Sequence, residues 1–311
     1  MINSILSTDA ITRAKQELKW IEQEGINHLF YADIDYPMRL KQCEDAPLNL
    51  FYKGNIDWGK DKFISVVGTR KATPFGKSFT DKLVKDLAPC NPIIVSGLAR
   101  GIDGAAHKAA LKYGLKTIAV FAHGLDKVFP AAHANLAQII TTNGCLLSDY
   151  LSDTTPLPHN FASRNRSVAG LSDATIVVES AAKGGSLITA DISNSYKSRG
   201  FAVPWNTIEK NAKGCNYLIK SQQAIFLESE TDIINGLNWD IKEKEMQQSM
   251  FLELSKSEQK INDLLSDNEM HIDAIGEGLG WGFSKVANEL LQAEFKGLIL
   301  SLPGKIYKKN I

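Results

Sequence analysis

The chain has 311 residues, 44% of them hydrophobic and 23% charged, and its 35 Lys and Arg balance 35 Asp and Glu. This composition is typical of a globular protein, and the length predicts one large domain with one or two smaller ones. No apolar run approaches the roughly 20 residues of a membrane-spanning helix, so we expect no membrane insertion.

The N-terminal stretch MINSILSTDAITRAKQ has no basic segment followed by an apolar one, which disfavours a secretory signal. The four cysteines are far apart and form no CxxC pair; they are Cys43, Cys90, Cys145 and Cys215. This usage favours a reducing cytoplasm over a disulfide framework, and it disfavours a zinc site. We expect a cytoplasmic protein with no metal and no cofactor.

Residues 1–60 are predicted to form a small N-terminal extension. Its helical pattern runs to Glu24. Beyond that point Pro37, Pro47 and Gly54 predict an irregular connection, because these residues interrupt regular structure.

Residues 61–236 alternate short apolar runs with helical patterns. The runs are FISVVG (63–68), PIIVSG (92–97), TIAVFA (117–122), CLLSDY (145–150), ATIVVE (174–179), FAVPW (201–205) and AIFLES (224–229). Continuous apolar runs separated by helices are typical of parallel strands that are covered on both faces. The pattern therefore predicts an α/β fold, a doubly wound Rossmann-like domain with a mostly parallel sheet.

The C-terminal part is predicted to contain a linker and a second domain. Residues 237–256 are polar and charged and read as a linker. Residues 257–311 show a helix, a short segment, a glycine-rich turn, an amphipathic helix over 283–296 and a possible two-stranded wing around Pro303 and Gly304. This order is that of a winged-helix domain.

The zero net charge hides an uneven distribution. Residues 61–236 hold 19 Lys and Arg and 14 Asp and Glu, a net of +5. Residues 1–60 have a net charge of −2, and residues 237–311 have −3. A polyanionic ligand would therefore bind the central domain.

Four segments at predicted strand ends combine glycine, hydroxyl and basic residues. They are VVGTRKATPFGKS with Gly68 to Lys71, IVSGLARGIDGAAH with Ser96 to Gly101, LPHNFASRNRSVAG with His159 to Arg166, and VVESAAKGGSLITA with Lys183 to Thr189. Carboxyl ends of parallel strands meet at one edge of a sheet, where loops and helix N-termini bind anions. Four such segments on one rim suit several phosphates better than one.

Each segment also has a purely structural interpretation. Gly97 and Gly101 would allow a tight strand-to-helix turn. Ser163 could cap a helix that begins after the SRNR run, and Phe161 could be a packing residue. Asp103 most simply caps the helix that it opens or complements the dipole of that helix. The placement of all four segments at one edge favours the binding interpretation.

The motifs of common enzymes are absent from the sequence. Gly97, Gly101 and Gly104 do not have the GxGxxG spacing of a dinucleotide site, and no GxxxxGK[ST] segment is present. No GxSxG nucleophile elbow occurs either. The segment GGSLITAD (184–191) resembles the GGxGTxxE loop of nucleotide-cleaving Rossmann hydrolases, but Leu187 and Ile188 replace its Gly-Thr pair.

Five ordered motifs together resemble the DNA-processing protein A family, also called Smf. They are SVVGTRKATPFGKSFTDKL, IVSGLARGIDGAAHKAAL, TIAVFAHGLDKVFPAAHANL, SRNRSVAGLSDATIVVESAAKGGSLITA and KGCNYLI. The resemblance covers residues 25–235 and implies an extended Rossmann domain that binds single-stranded DNA without catalysis. It also implies loading of the recombinase RecA during DNA uptake in natural transformation, and a homodimer formed through this domain.

The resemblance implies a set of DNA-binding residues, carried over motif by motif. They are Gly68, Thr69, Arg70, Ser96, Gly97, Arg100, Phe161, Arg164, Asn165, Arg166, Lys183, Ser186 and Thr189. A basic groove with an aromatic side chain suits single strands, so Arg70, Arg100, Arg166 and Lys183 are expected on phosphates and Phe161 on a base. Two departures from the family are the run FASRNR and Trp205, which stands where a glycine is usual.

Two other functions stay open from the sequence. The same strand-end segments could form a nucleotide-processing hydrolase, or a nucleotide sensor that acts on the C-terminal domain. That domain is acidic overall and offers only Lys285 and Lys296 on its predicted recognition helix, which favours a protein-contact or regulatory role over groove reading.

Overall fold

The computed structural model describes residues 7–59, 62–239, 256–265, 269–295, 298–302 and 304–309. These residues form two compact units, Met1–Lys242 and Glu243–Ile311. Most of the predicted linker, residues 240–255, lies outside the described residues, as do Lys296 and Pro303. The domain limits at 60 and 236 stay predictions.

The first unit is built on a nine-stranded sheet in the order β1-β2-β6-β5-β4-β3-β7-β8-β9. The strands are β1 (Asn27–Phe30), β2 (Asn49–Gly54), β3 (Phe63–Val67), β4 (Ile93–Ser96), β5 (Thr117–Phe121), β6 (Gly144–Ser148), β7 (Ala174–Val177), β8 (Arg199–Ala202) and β9 (Ile225–Phe226). Strands β3 to β9 pair in parallel, while β2 pairs antiparallel with both β1 and β6. The seven predicted parallel strands are confirmed.

Helices cover both faces of this sheet. They are α1 (Thr8–Glu24), α2 (Met38–Lys41), α3 (Pro74–Leu87), α4 (Ile102–Lys112), α5 (Ala134–Thr142), α6 (Pro158–Gly170), α7 (Gly185–Ser195), α8 (Lys213–Lys220) and α9 (Glu230–Leu237). On β3, Phe63 and Val67 join the core on the side of α6 to α8, whereas Ile64 and Val66 join the core on the side of α3, α4 and α9. Both faces of this strand are buried, which explains its largely apolar sequence, and its one polar side chain, Ser65, donates a hydrogen bond to the Val168 carbonyl oxygen.

The N-terminal segment is part of this sheet. The predicted helix is confirmed as α1, which begins after its Ser7 cap and ends at Gly25 with φ +62°. The expectation of an irregular connection is wrong for residues 49–54, which form β2, and residues 27–30 form the additional strand β1. The carboxylate of Glu17 accepts hydrogen bonds from the Ser152 backbone N–H at 2.8 Å and from its hydroxyl at 2.6 Å, and so fixes α1 against the loop after β6.

The second unit has the predicted winged-helix architecture. Its helices are α10 (Lys256–Leu264), α11 (Ile272–Leu279) and α12 (Phe283–Phe295). The strands β10 (Met270–His271), β11 (Ile299–Leu302) and β12 (Ile306–Lys309) form an antiparallel sheet in the order β10-β12-β11. Ile261, Ile275, Val286 and Leu290 are buried together between these elements. In both units, no helix among the described residues has the length and apolar character that a bilayer crossing requires.

Candidate nucleic-acid interface

A cleft of about 460 Å³ opens at the carboxyl ends of β3, β4 and β7. The chain proceeds from β3 to β4, β5 and β6 in one direction, and β7 to β9 extend the sheet in the other. The cleft therefore lies at the topological switch point, the place where doubly wound sheets bind ligands. Its walls are the loops after these three strands, the first turns of α7 and one face of α6.

Two glycines allow the loops after β3 and β4 to approach each other and α6 closely. A Cβ atom on Gly97 would lie 2.2 Å from Nη1 of Arg164, so only glycine lets the guanidinium rest on this backbone. A Cβ atom on Gly101 would lie 2.1 Å from the carbonyl oxygen of Thr69, and Gly101 has φ +84°. These contacts confirm the structural interpretation of both glycines, and they also shape the floor of the cleft.

Arg164 forms part of this floor. Its side chain is buried, and Nη1 donates to the carbonyl oxygen of Val120 at the end of β5. Its Nε has no hydrogen-bond partner among the described residues. Burial lowers the pKa of Arg164, and the neighbouring Asp103 carboxylate opposes that shift. A buried guanidinium needs several hydrogen-bond acceptors. Arg164, which lines the cleft, therefore has N–H donors that are still available for a hydrogen bond.

Asp103 lies beside Arg164 and is itself buried. Its carboxylate accepts a long hydrogen bond, 3.4 Å, from the backbone N–H of Ala99. Burial raises the pKa of Asp103, while the Arg164 guanidinium and the backbone N–H groups of Ala99 and Gly97 oppose the rise. Asp103 lies in the first turn of α4, where a carboxylate complements the helix dipole as the sequence suggested, while the N-cap position is Gly101; it also accepts a hydrogen bond from the loop after β4.

The rim of the cleft brings a cation and an aromatic ring together. The exposed guanidinium of Arg70 lies over the ring of Phe161, 5.1 Å from its centroid. The ring centroid of Phe129 lies 5.9 Å from that of Phe161. A cation on a ring face is held at about 6 Å or less by the ring quadrupole, so Arg70 stays close to Phe161 while remaining accessible.

Two comparisons with known proteins identify the family. Residues 27–238 match the family model described as DNA recombination-mediator protein A. The chain belongs to this family. Residues 252–305 match the family's winged-helix domain.

Individual relatives agree with this assignment. Protein Smf of Escherichia coli is 33% identical over 297 residues, which are 93% of this chain and 79% of that protein. The X-ray structure of DNA processing protein A from Streptococcus pneumoniae is 38% identical with a TM-score of 0.65, covering 68% of this chain and 74% of that one. A structure of the Helicobacter pylori protein, which concerns its mode of single-stranded DNA binding, is 31% identical with a TM-score of 0.62, covering 68% and 95%.

Most of the residues implied by the family resemblance line the cleft. They are Gly68, Thr69, Arg70, Gly97, Phe161, Arg164, Asn165, Ser186 and Thr189. Ser186 and Thr189, on the first turns of α7, are mostly buried, and the Ser186 hydroxyl donates to Ser180 Oγ at 2.9 Å. These two residues support the wall more than they present polar atoms to a ligand.

The structure does not bring four of the expected residues into the cleft. Ser96 is fully buried and donates to the Val66 carbonyl oxygen at 2.6 Å, so the expectation that it contacts DNA is wrong. Arg166 points away from the cleft and forms an ion pair with Asp149 at 2.9 Å. Arg100 and Lys183 are exposed and lie outside the cleft lining.

Arg166 is displaced because residues 161–166 are helical. Helix α6 begins at Pro158, so Ser163 lies inside the helix and the interpretation of Ser163 as its cap is wrong. Phe161, Arg164 and Asn165 are three and four residues apart and share one face of α6. Arg166 falls on another face, next to the loop after β6.

Within the segment VVESAAKGGSLITA, the residues directly after β7 were not singled out from the sequence. Ser180 and Ala181 line the cleft. Before them, the buried carboxylate of Glu179 accepts a hydrogen bond from the Thr73 backbone N–H at 3.0 Å and another from the Thr73 hydroxyl. Thr73 caps α3, so Glu179 joins the ends of β3 and β7 on both sides of the cleft. Only their position in the sequence pointed to these residues, since they closely follow a strand beside the switch point.

Proposed function

We propose that this protein binds single-stranded DNA in the cleft, with little preference for sequence and without catalysing a reaction on it. The observation that carries the proposal is the rim pair, in which the accessible Arg70 guanidinium lies 5.1 Å from the centroid of the Phe161 ring. A phosphate-binding cation beside a stacking surface is the combination that proteins use for single strands. The single-stranded DNA binding mode described for the Helicobacter pylori relative supports the same ligand.

The cleft chemistry favours backbone contacts over base recognition. Arg70 can pair with a phosphate, and the loops after β3 and β4 line the cleft beside it. Phe161 offers a ring face that accepts any base. Reading a base requires hydrogen-bonding groups held in a fixed pattern against its edge, whereas ring and guanidinium contacts tolerate every base.

A panel of ligands tests this function directly. We expect a fluorescent dT oligomer to bind more tightly than its duplex form, and a mixed-sequence oligomer to bind like dT. Preferential binding of a mononucleotide, with no affinity for oligomers, would favour the nucleotide-sensor alternative instead. Reproducible release of base or phosphate from a nucleotide panel would favour the hydrolase alternative.

The proposal extends to the cellular role that the family resemblance implies. The protein shields incoming strands in the cytoplasm, acts as a homodimer through its first unit and loads RecA onto the strand. The test is RecA filament formation on single-stranded DNA that is already covered by single-stranded DNA-binding protein. We expect this protein to accelerate filament formation, and an Arg70→Ala variant to accelerate it less. Equal rates with and without the protein would contradict the loading role.

A further inference from the structure

An aromatic pair beside the cleft has no part in the function described so far. Phe75, in the first turn of α3, and Trp205, in the loop after β8, have ring centroids 3.6 Å apart at an interplanar angle of 41°. Phe75 is 41% exposed. Both residues follow parallel strands of the sheet, so the pair lies on the same edge as the cleft.

The loop that carries Trp205 is held in a defined position. The side-chain amide of Asn216, on α8, accepts a hydrogen bond from the Trp205 backbone N–H at 3.1 Å and donates to its carbonyl oxygen at 2.9 Å. One side chain therefore satisfies both backbone groups of Trp205. A ring that is positioned in advance loses little conformational entropy when it binds a ligand.

The same loop is bonded to two walls of the cleft. The amide of Asn211 donates to the carbonyl oxygen of Lys71, the neighbour of Arg70, at 3.1 Å. The backbone carbonyl of Asn211 accepts a hydrogen bond from the N–H of Ser180, which lines the cleft, at 2.8 Å. The aromatic pair and the cleft are thus parts of one continuous surface.

The segments that contribute this surface are basic. They carry four exposed lysines, Lys71, Lys77, Lys210 and Lys213, none of which forms an ion pair with another described residue. Between residues 70 and 77 and between 205 and 213, the sequence contains a single acidic residue, Glu209. Cations around an exposed ring match the phosphates and bases of a single strand.

We propose that Phe75 and Trp205 form a second stacking site, which receives a base of the same DNA strand after that strand leaves the cleft toward β8. This inference rests on the proposed function, because it assumes that the cleft holds single-stranded DNA. A strand long enough to reach beyond the cleft contacts both sites, whereas a short strand contacts the cleft alone.

Oligomer length separates the two sites. The probes are fluorescent dT oligomers of about 4 and about 16 nucleotides, which span the known range of site sizes for single-strand binding folds. We expect Phe75→Ala to weaken binding of the longer oligomer by about tenfold, a typical cost of losing one stacked base, and to leave the shorter one unchanged. Phe75→Leu keeps the apolar contact with Trp205 but removes the ring face, and we expect the same loss. Arg70→Ala should weaken both.

The matched control is Phe30→Ala. Phe30 is 44% exposed and lies on β1, at the opposite end of the sheet order from β8 and β9. The Phe30→Ala variant should bind both oligomers like the parent. If Phe75→Ala and Phe75→Leu also bind the longer oligomer like the parent, the second stacking site is wrong while the cleft function stands. If the parent binds neither oligomer, both proposals fail.

Trp205 provides an independent readout. A base stacked on this pair should quench tryptophan emission when the longer oligomer binds, and Trp205→Phe should keep the affinity while losing most of that quenching. Equal quenching in the parent and in Trp205→Phe would show that the signal comes from another of the five tryptophans and would contradict stacking on Trp205.

Discussion

Gly97 is the residue on which the floor of the cleft depends. It has no room for a side chain, because the buried Arg164 guanidinium lies where its Cβ atom would be. Arg164 is a long side chain, but its hydrogen bond to Val120 and its burial prevent an easy shift. The glycine therefore determines both the packing of the loop and the position of the buried guanidinium.

Gly97→Ala should lower the free energy of unfolding by about 1–3 kcal/mol, the usual cost of overpacking a buried contact. It should also weaken DNA binding, because Arg164 has to move. Urea denaturation and oligomer titration measure the two effects. Gly185→Ala is the control for stability, since a Cβ atom there meets nothing within 4 Å. Equal stability of the two variants would contradict this account of Gly97.

His107 is a buried histidine whose tautomer follows from its hydrogen-bond partners. The Thr117 hydroxyl donates to the Ile94 carbonyl oxygen at 2.7 Å, so it accepts a hydrogen bond from His107 Nδ1–H at 2.7 Å. His107 Nε2 then remains an acceptor with no partner among the described residues. Burial, with smaller effects of His133 and Arg164, lowers the pKa of His107 to about 3.

This shift predicts a loss of stability in acid. The unfolded chain binds a proton on His107 below its ordinary pKa of 6.5, whereas the folded chain does so only near pH 3. The free energy of unfolding should therefore fall as pH drops from 6.5 toward 3, by up to about 1.4 kcal/mol per pH unit for one proton. His107→Gln should show a shallower slope in urea denaturation across this range. Burial also lowers the pKa of His123, so part of the slope should remain. An unchanged slope would contradict the assignment to His107.

At the scale of the elements, helix α6 has two functional faces. Phe161 lies on the face that lines the cleft, and Arg166 lies on another, where its ion pair neutralises the buried carboxylate of Asp149. The two side chains are only five positions apart, yet the helical period places one in the cleft and the other in an ion pair with the fold.

Substitutions on the two faces of α6 should therefore have different effects, one on oligomer binding and the other on stability. Phe161→Ala should weaken oligomer binding by roughly 1–3 kcal/mol and change stability less, because it removes a stacking ring at the rim. Arg166→Ala should leave binding nearly unchanged and lower the free energy of unfolding by about 1–3 kcal/mol, since the Asp149 carboxylate loses its partner. Oligomer titration and urea denaturation of both variants measure the two effects. If Phe161→Ala mainly lowered stability and Arg166→Ala mainly weakened binding, the assignment of the faces would be contradicted.

The sequence predicted the elements with a strong local signature. Strands β3 to β7 are short, largely apolar runs, because all their residues are buried in a sheet covered by helices. Strands β1 and β2 were missed, since β1 pairs only with β2, and β2 depends on antiparallel pairing with β6, almost a hundred residues away along the chain. Such pairing leaves little trace in two short segments that are separated by a connection containing Pro37 and Pro47.

The cleft was predictable to the level of segments but not of every side chain. Three of the four segments meet there because parallel strands end at one edge, and α6, the fourth, joins them. Which side chains of α6 face the cleft depends on where the helix begins, and that residue was not evident from the sequence. Ser96 was misassigned for a similar reason: the last residue of β4 points into the sheet, whereas the loop starts at Gly97.

At the scale of the whole molecule, the excess positive charge and the cleft lie in the same part of the chain. The excess positive charge lies in residues 61–236, which also supply the cleft and the aromatic pair. Positive residues near a phosphate backbone make binding depend on salt, because each neutralised phosphate releases counterions. The opposite edge of the sheet provides a reference for this effect, since Arg199 is exposed at the amino end of β8.

The most direct test of the central claim is a dT oligomer titration over a series of salt concentrations. It compares the parent, Arg70→Ala and the control Arg199→Ala. Arg70→Ala should bind more weakly and reduce the slope of log K against log salt by about 0.7, the contribution of one phosphate on a single strand, while Arg199→Ala should match the parent. If Arg70→Ala instead matches the parent in both affinity and slope, the cleft is not where the DNA backbone binds.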